Sequence, residues 1–342
     1  MELNAIIEES LKNQEKEFYA KKFYFSYSSL NKLLWNPQTF YQMYIMGMKD
    51  EKLDAHLVQG KVIHCLLLEE SKFNEQFVIS PANLPTGNLR TVVDRVYHHH
   101  KELATNGDER TKLDEFQDAV LDVMRDMNYH QSLKTDQQRL DKVLTADAYS
   151  YWGFLQTKGD KTLIDQETYD FCKNAVDLIK TDKSICDLIG CNVTEFDNKT
   201  VYNEVLLQQD LPNKVFGIKG IVDNIVIDHD QKILYINDIK TTSKDLKDFP
   251  ESVEYYSYWL QAVMYCTLAG MKHADILEQG YQIKFHFVVI DRMYQCYPYF
   301  VTESTISQWF EKMKNVLDIA DWHYTNRDYT LPYAFAKKTV VL

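Results

Sequence analysis

Apolar residues in the N-terminal half of the chain recur at helical spacing, and strand-like runs begin only after Cys191. Residues Met1 to Tyr19 read as a charged helix that stops before Tyr24-Phe25-Ser26-Tyr27-Ser28. Ser26 or Ser28 is placed to cap a second helix carrying Leu30, Leu33 and Leu34, and Pro37 either interrupts that helix or starts a new one. A further helix is expected from His56 to Glu70, apolar on a broad face, with Gly60 near its start and His64 inside it. After a loop at Pro81 to Gly87, the stretches Thr91 to Met127 and Gln137 to Ile189 are helical and charged. Breaks are expected near Asn106-Gly107-Asp108 and Lys158-Gly159-Asp160.

Val201 to Gln208, Val215 to Ile227 and Lys232 to Lys240 read as a three-strand meander, with the polar Asp228-His229-Asp230-Gln231 reversing the chain before the third strand. Ser252 to Gly270 returns to helix. Ile283 to Ile290 and Tyr294 to Val301 form a second hairpin around Asp291-Arg292-Met293, and a helix from Glu303 to Ile319 follows. No internal repeat is evident. This layout predicts an α/β (α+β) fold, a helix-rich N-terminal half with a mixed central β-sheet flanked by helices.

A length of 342 residues with 45% hydrophobic content supports a substantial core in one large domain or two ordinary ones. There is no apolar run of about 18 residues and Met1 opens an acidic amphipathic segment, so a cytoplasmic protein without membrane association is expected. The six cysteines are scattered without a C-x-x-C pair and read as reduced thiols; the nearest two, Cys186 and Cys191, lack a second pair or a nearby histidine to complete four metal ligands. The net charge of −12 argues against a broad phosphate-binding surface. It leaves room for nucleic acid in a confined channel, where the field depends on a few lysines and bound cations. The 23 tyrosines and 17 phenylalanines supply flat faces for bases, although most belong in a core.

Candidate chemistry concentrates between the second and third strands of the meander. Asp223 closes Gly217-Ile218-Lys219-Gly220-Ile221-Val222-Asp223, and Asp238 ends the apolar run that begins at Lys232. A hairpin brings both carboxylates to one end of a sheet, and Lys240 shares a strand face with Asp238 because the strand period is two. Two acids and an amine around one point suit a hydrolytic site for magnesium or manganese. On the following helix Gln261 and Tyr265, four apart, project from one face. Glu204, on the preceding strand, either adds a carboxylate to the site or faces water. Asp228 and Asp230 are turn formers. His98-His99-His100 sits in a helical run where successive side chains diverge by about 100° and cannot converge on one ion.

In this order the motifs resemble the PD-(D/E)XK nuclease superfamily, within it the RecB-like exonucleases, and most closely the phage and prophage RecE type (exodeoxyribonuclease VIII-like). Phe25 to Leu34 with Pro37 and Phe40 resembles the first helix of that family, and Gln59-Gly60-Lys61-Val62-Ile63-His64 its Gly-x-x-x-His helix. Gly217-x-x-Gly220-x-x-Asp223, Asp238-Ile239-Lys240-Thr241-Thr242 and Gln261-x-x-x-Tyr265 resemble the motifs that follow, and Leu163 to Tyr169 is similar to a linker of RecE-type proteins. The likeness covers roughly residues 23 to 70 and 160 to 310. It implies residues 1–22 as an N-terminal helical extension and 23–342 as one nuclease domain with a helical insertion at about 88–190.

The resemblance also implies roles. Asp223, Asp238, the backbone carbonyl of Ile239 and His64 would hold Mg2+ or Mn2+, and Lys240 would hold or help deprotonate the attacking water. Gln261 and Tyr265 would contact the scissile phosphate or the terminal nucleotide. Lys219 and Lys244, with Lys214 and Lys247 near them, are candidates for phosphate contacts. No iron–sulfur cluster is expected, because Trp35-Asn36 precedes Pro37 and no cysteine follows Cys296. The implied activity is metal-dependent exonucleolytic cleavage of linear double-stranded DNA in recombination, with 5′-to-3′ polarity, a ring-shaped homo-oligomer and a single-strand annealing protein as partner. A structure-specific or single-strand nuclease, and a non-catalytic DNA-binding accessory subunit of the same fold, are the alternatives.

Overall fold

The computed structural model describes residues 13–48, 55–81, 84–194 and 197–340. Most of the helix expected over Met1 to Tyr19 lies outside them, although 13–20 are helical. The chain divides into two compact units, Met1–Glu70 together with Cys172–Leu342, and Ser71–Phe171.

The first unit begins with a short strand, β1 (Tyr24–Phe25), and α1 (Tyr27–Trp35). Ser26 is the cap: its hydroxyl accepts from the Ser29 amide, and the Ser29 hydroxyl accepts in return from the Ser26 amide at 2.9 Å. Pro37 opens a new turn of helix behind a second cap, Asn36. Next come α2 (Ala55–Leu68), α3 (Lys183–Ile189) and the meander β2 (Lys199–Asp210), β3 (Gly217–Asp228) and β4 (Ile233–Thr242). The unit is completed by α4 (Phe249–Tyr255), α5 (Tyr258–Lys272), β5 (Gln282–Asp291), β6 (Cys296–Val301) and α6 (Glu303–Asn326). The helix expected over Ser252 to Gly270 is therefore two helices, separated at Tyr256-Ser257, where Ser257 takes a left-handed φ of +57°.

Six strands make one mixed sheet. β2 runs antiparallel along the whole of β3, whereas the other edge of β3 is shared. β1 occupies it in parallel at Gly217 and Ile218, and β4 in antiparallel from Asn224 to Asp228. β4 continues parallel to β5 from Ile233 to Thr242, and β6 pairs with β5 as the far hairpin. Residues 219–223 of β3 thus have no strand on that edge among the described residues, and β3 and β4 separate where their carboxylates begin. The core-facing pattern slips at the same point. Ile218 and Val222 belong to the core before it, Ile225 and Ile227 after it, an odd step that a regular strand of period two does not give. Opposite Asp223 in the register lies Glu204, a non-glycine residue at φ +49°. Such local breaks turn side chains toward sites that a regular ladder would not reach.

α5 is buried on nearly every face from Trp259 to Cys266, as its almost continuous apolar sequence requires. It shares one core with Ile225, Ile227, Leu234, Ile236, Phe285 and Phe287 of the sheet. α6 runs seven residues beyond the expected Ile319, to Asn326, and ends where Arg327 adopts φ +53°. No helix among the described residues is long and apolar enough to cross a membrane.

The second unit packs the helices Gly87–Thr105, Gln117–Asp126, Asp136–Val143 and Ala146–Lys158 around Val92, Val96, Phe116, Met124, Leu140 and Trp152. It also holds two strands that hydrophobic spacing does not reveal, Phe77–Ile79 and Thr162–Ile164, paired in parallel. Each is three residues long, too short for an alternation to register. Leu163 and Ile164, at the start of the stretch likened to a linker, lie in the second of them.

Candidate metal centre

The site is built where the ladder between β3 and β4 stops. The N–H and C=O of a strand residue point to the same side, so Ile239, two residues past the last paired position Asn237, presents both groups to the vacated edge. Asp223 takes the N–H: its Oδ2 accepts from Ile239 at 2.7 Å. His64 of α2 takes the carbonyl, with Nε2 at 2.9 Å from the Ile239 oxygen. Because a carbonyl only accepts, Nε2 carries a proton. Nδ1 faces acids, at 3.4 Å from Oε1 of Glu204 and 3.8 Å from Oδ2 of Asp223. His64, Glu204 and Asp223 each offer a ligand atom, and these atoms lie within 4.8 Å of one another.

Asp238 is fully buried beside this trio. The Lys240 ammonium lies 2.5 Å from its Oδ2, outside hydrogen-bonding geometry, and neither oxygen has a hydrogen-bond donor among the described residues. Lys240 also sits over the Tyr258 ring, 5.0 Å from its centre. Burial pushes the Asp238 carboxyl upward, against the pull of Lys240 and with the help of the neighbouring Asp223 charge. Burial works against the Lys240 charge, but Asp238 and Asp223 outweigh it and hold the ammonium protonated. Burial likewise opposes a charged His64, yet Asp223 and Glu204 bring its pKa up to about 9. These directions share one cause, an excess of carboxylate in a poorly solvated pocket, which attracts a proton or a cation.

Three asparagines that sequence reasoning missed support the site from beneath. Asn203, Asn224 and Asn237 are register neighbours on β2, β3 and β4. Asn237 donates through Nδ2 to Oδ1 of Asn224 at 2.7 Å, and Asn224 donates through Nδ2 to Oδ1 of Asn203 at 2.8 Å. Each also captures a carbonyl at a helix C-terminus: Asn237 that of Leu188, Asn224 that of Ile189 and Asn203 that of Leu68. Those carbonyls are the ones a helix leaves without an internal partner. The ladder therefore ties the ends of α2 and α3 to the sheet, next in sequence to Glu204, Asp223 and Asp238. The available signal was an asparagine inside each of three apolar runs, where the residue type is disfavoured.

The motif glycines allow close approach. A Cβ on Gly220 would lie 2.7 Å from Cε1 of Tyr265, so its absence lets α5 press that ring onto β3. A Cβ on Gly60 would lie 3.3 Å from the Thr241 hydroxyl, bringing α2 close to the end of β4. Gln261 and Tyr265 face each other as their spacing predicts, Nε2 donating to the phenol at 2.8 Å. Burial, followed by the charges of Asp238 and Asp223, pushes the Tyr265 phenol far up, so it stays protonated. The lysines diverge. Lys219 lies half-buried on β3 with no acidic partner among the described residues. Lys244 is 3.8 Å from Glu251 and Lys247 3.8 Å from Asp245, while Lys214 is held by Asp318 and Asp321 on α6. The histidine triplet lies on the helix Gly87–Thr105, where His98 meets Glu102 and His100 packs on Trp152.

The sequence pattern of the PD-(D/E)XK nuclease superfamily matches residues 24–325, from β1 into the last turn of α6. The chain belongs to that superfamily. Among solved structures it is similar to the crystal structure of a "Putative exonuclease" from Eubacterium rectale, at 12% identity and a TM-score of 0.45, covering 95% of this chain and 91% of that one. No curated protein matches it. In this nuclease the mixed sheet with flanking helices is the superfamily fold, and His64, Glu204 and Asp223, beside the point where β3 and β4 part, form a group that could hold a metal ion.

Proposed function

We propose that this nuclease is a divalent-metal-dependent deoxyribonuclease that degrades linear double-stranded DNA from its ends. The observation that carries the proposal is the convergence of His64, Glu204 and Asp223 within 4.8 Å, beside a buried Asp238 paired with Lys240. The donor set fits magnesium or manganese: carboxylate and carbonyl oxygens dominate, and one imidazole joins them. Asp223, Asp238 and Glu204, with His64, are the groups that would hold it, and the Ile239 carbonyl would join them only where the ion displaces the Nε2 proton of His64. When bound, the ion supplies charge neutralisation at the phosphate and activates water.

The remaining work falls to side chains. Lys240, held by Asp238 and supported on Tyr258, offers N–H donors to a water or to a phosphate oxygen as negative charge develops on it. The Gln261–Tyr265 pair, fixed by its own hydrogen bond and by the bare surface of Gly220, orients the phosphate. In the balanced reaction the water oxygen bonds to phosphorus, one P–O bond to sugar breaks, and the leaving oxygen ends protonated. End-directed degradation with 5′-to-3′ polarity, a ring of identical subunits and a single-strand annealing partner, in recombination within the cytoplasm, follow from the RecE-type motifs.

Linear, nicked and covalently closed circular duplexes, labelled at either end and incubated with Mg2+ or Mn2+, provide the test. Loss of mononucleotides from linear ends only, abolished by Asp223→Ala and by Asp238→Ala, is the expected result. Equal cleavage of closed circles would overturn end-directed degradation, and undiminished cleavage by both variants would overturn the site.

A further inference from the structure

An exposed row of aromatic rings leads from the metal centre to the surface. It starts at Tyr258, whose ring carries the Lys240 ammonium, and passes to Tyr256, stacked on Tyr258 at 5.4 Å between ring centres. Tyr255 follows edge-to-face at 4.8 Å and Trp35 of α1, again edge-to-face, at 6.4 Å. The outer three are unusually open: Trp35 is 64% exposed, Tyr255 63% and Tyr256 45%. Large aromatic surfaces left in water in this number commonly mark an interaction site.

The row is built rather than frayed. The Tyr256 carbonyl accepts from the Tyr27 phenol and from Nδ2 of Asn31, so two residues of α1 pin the corner between α4 and α5. Ser257, next in the chain, holds a left-handed φ of +57°, which costs an L-residue energy and persists only where its surroundings impose it. Its charges also suit one kind of occupant. Lys32 is exposed three residues before Trp35 on α1, with no acidic partner among the described residues. The acids of α4 are matched, Glu251 by Lys244 and Glu254 by Lys312. What remains is a row of exposed rings, each with a free face, and the positive charge of Lys32, ending at the ammonium beside the metal centre. A chain whose repeat couples a planar ring to an anion fits both features.

We propose that Trp35, Tyr255 and Tyr256 form a stacking ledge for unpaired bases of the DNA strand whose phosphate reaches Lys240. The direction of the strand along the ledge rests on the nuclease reading of the metal centre. The ledge itself is tested without cleavage. In EDTA, fluorescence anisotropy of labelled (dT)12 should show binding weakened roughly 5- to 150-fold by Trp35→Ala or Tyr255→Ala, the range expected when one stacked base is lost. Trp35→Phe should retain most of the affinity. An abasic strand of the same length should bind the wild-type protein and Trp35→Ala alike, and urea unfolding midpoints should stay unchanged.

Unaltered (dT)12 affinity in the Trp35→Ala/Tyr255→Ala double variant would overturn the proposal, as would a wild-type protein that does not bind (dT)12. Loss of self-association with (dT)12 affinity intact would overturn it in favour of a second copy of the chain. Failure of the wild-type protein to cleave DNA counts against the nuclease reading alone, because the oligonucleotide titration decides the ledge independently.

Discussion

Replacing Asn224 by leucine separates the asparagine ladder from its shape, since the side-chain volumes are close while every polar contact is lost. Asn224 is fully buried. Its Nδ2 serves the Ile189 carbonyl at 2.9 Å and Oδ1 of Asn203 at 2.8 Å, and its Oδ1 accepts from Asn237. The substitution leaves those two acceptors and one donor without their partner, the half-buried Asn203 being the most open to solvent of the three. A buried polar group stranded in this way costs about 1–3 kcal/mol. Three of them, less the gain from burying a more apolar side chain, amount to roughly 3–6 kcal/mol against a total stability of about 5–15 kcal/mol. Asn224→Asp should be worse, because it turns a donor into a carboxylate facing two acceptors. Urea titration followed by tryptophan fluorescence reads the effect, since Trp35, Trp259, Trp309 and Trp322 lie in the first unit and only Trp152 in the second. A loss below about 1 kcal/mol for Asn224→Leu would refute the account of the ladder as a structural tie.

Four further outcomes are expected. Gly220→Ala places a methyl 2.7 Å from the buried Tyr265 ring and should cost about 1–3 kcal/mol and slow DNA cleavage; an unchanged unfolding midpoint would show that the ring yields freely. Because Glu204 sits at φ +49°, Glu204→Gly should be more stable than Glu204→Ala by about 1 kcal/mol, reversing the usual order of these residues in a strand; calorimetric midpoints compare them directly. Mg2+ or Mn2+ should stabilise the wild-type protein by about 2.7 kcal/mol at a hundredfold excess over the dissociation constant, read as a raised thermal midpoint, and Asp223→Asn should lose most of that gain. His286 is pushed down to about 4, by burial and then by the Lys284 charge, with Tyr235 and Phe300 as its ring neighbours. The unfolded chain binds a proton near pH 6.5 that the folded one refuses until about 4, so stability should fall as pH drops through that window, by on the order of 3 kcal/mol, and level off below it. His286→Phe should flatten that slope in pH-dependent urea titrations, and an equal slope in both proteins would remove His286 as its cause.

How far the sequence speaks for the fold depends on how local the controlling interaction is. The meander and the far hairpin are legible because their apolar runs are bounded by turns whose chemistry is local, such as Asp228 accepting from the amides of Asp230 and Gln231. The paired strands Phe77–Ile79 and Thr162–Ile164 are not legible, because each is specified by a partner more than eighty positions away rather than by its own pattern. The split between α4 and α5 is hidden for a similar reason. It depends on Ser257 in a left-handed conformation held through the Tyr256 carbonyl by Tyr27 and Asn31.

The same distinction runs through the metal centre. Asp223, Asp238 and Lys240 can be placed from sequence because a hairpin and a period of two fix them relative to one another. Glu204 cannot, since its direction depends on a backbone break opposite Asp223 that exists only once β2 has paired with β3. The step from an acidic cluster to a defined site is made at Ile239. Its N–H and carbonyl, released when β3 and β4 part, fix the carboxylate of Asp223 and the ring of His64 together. A closed ladder at this position would satisfy Ile239 within the sheet and leave neither side chain anything to hold. The local failure of strand pairing, which costs sheet hydrogen bonds, is thus what turns Nδ1 of His64 toward the acids.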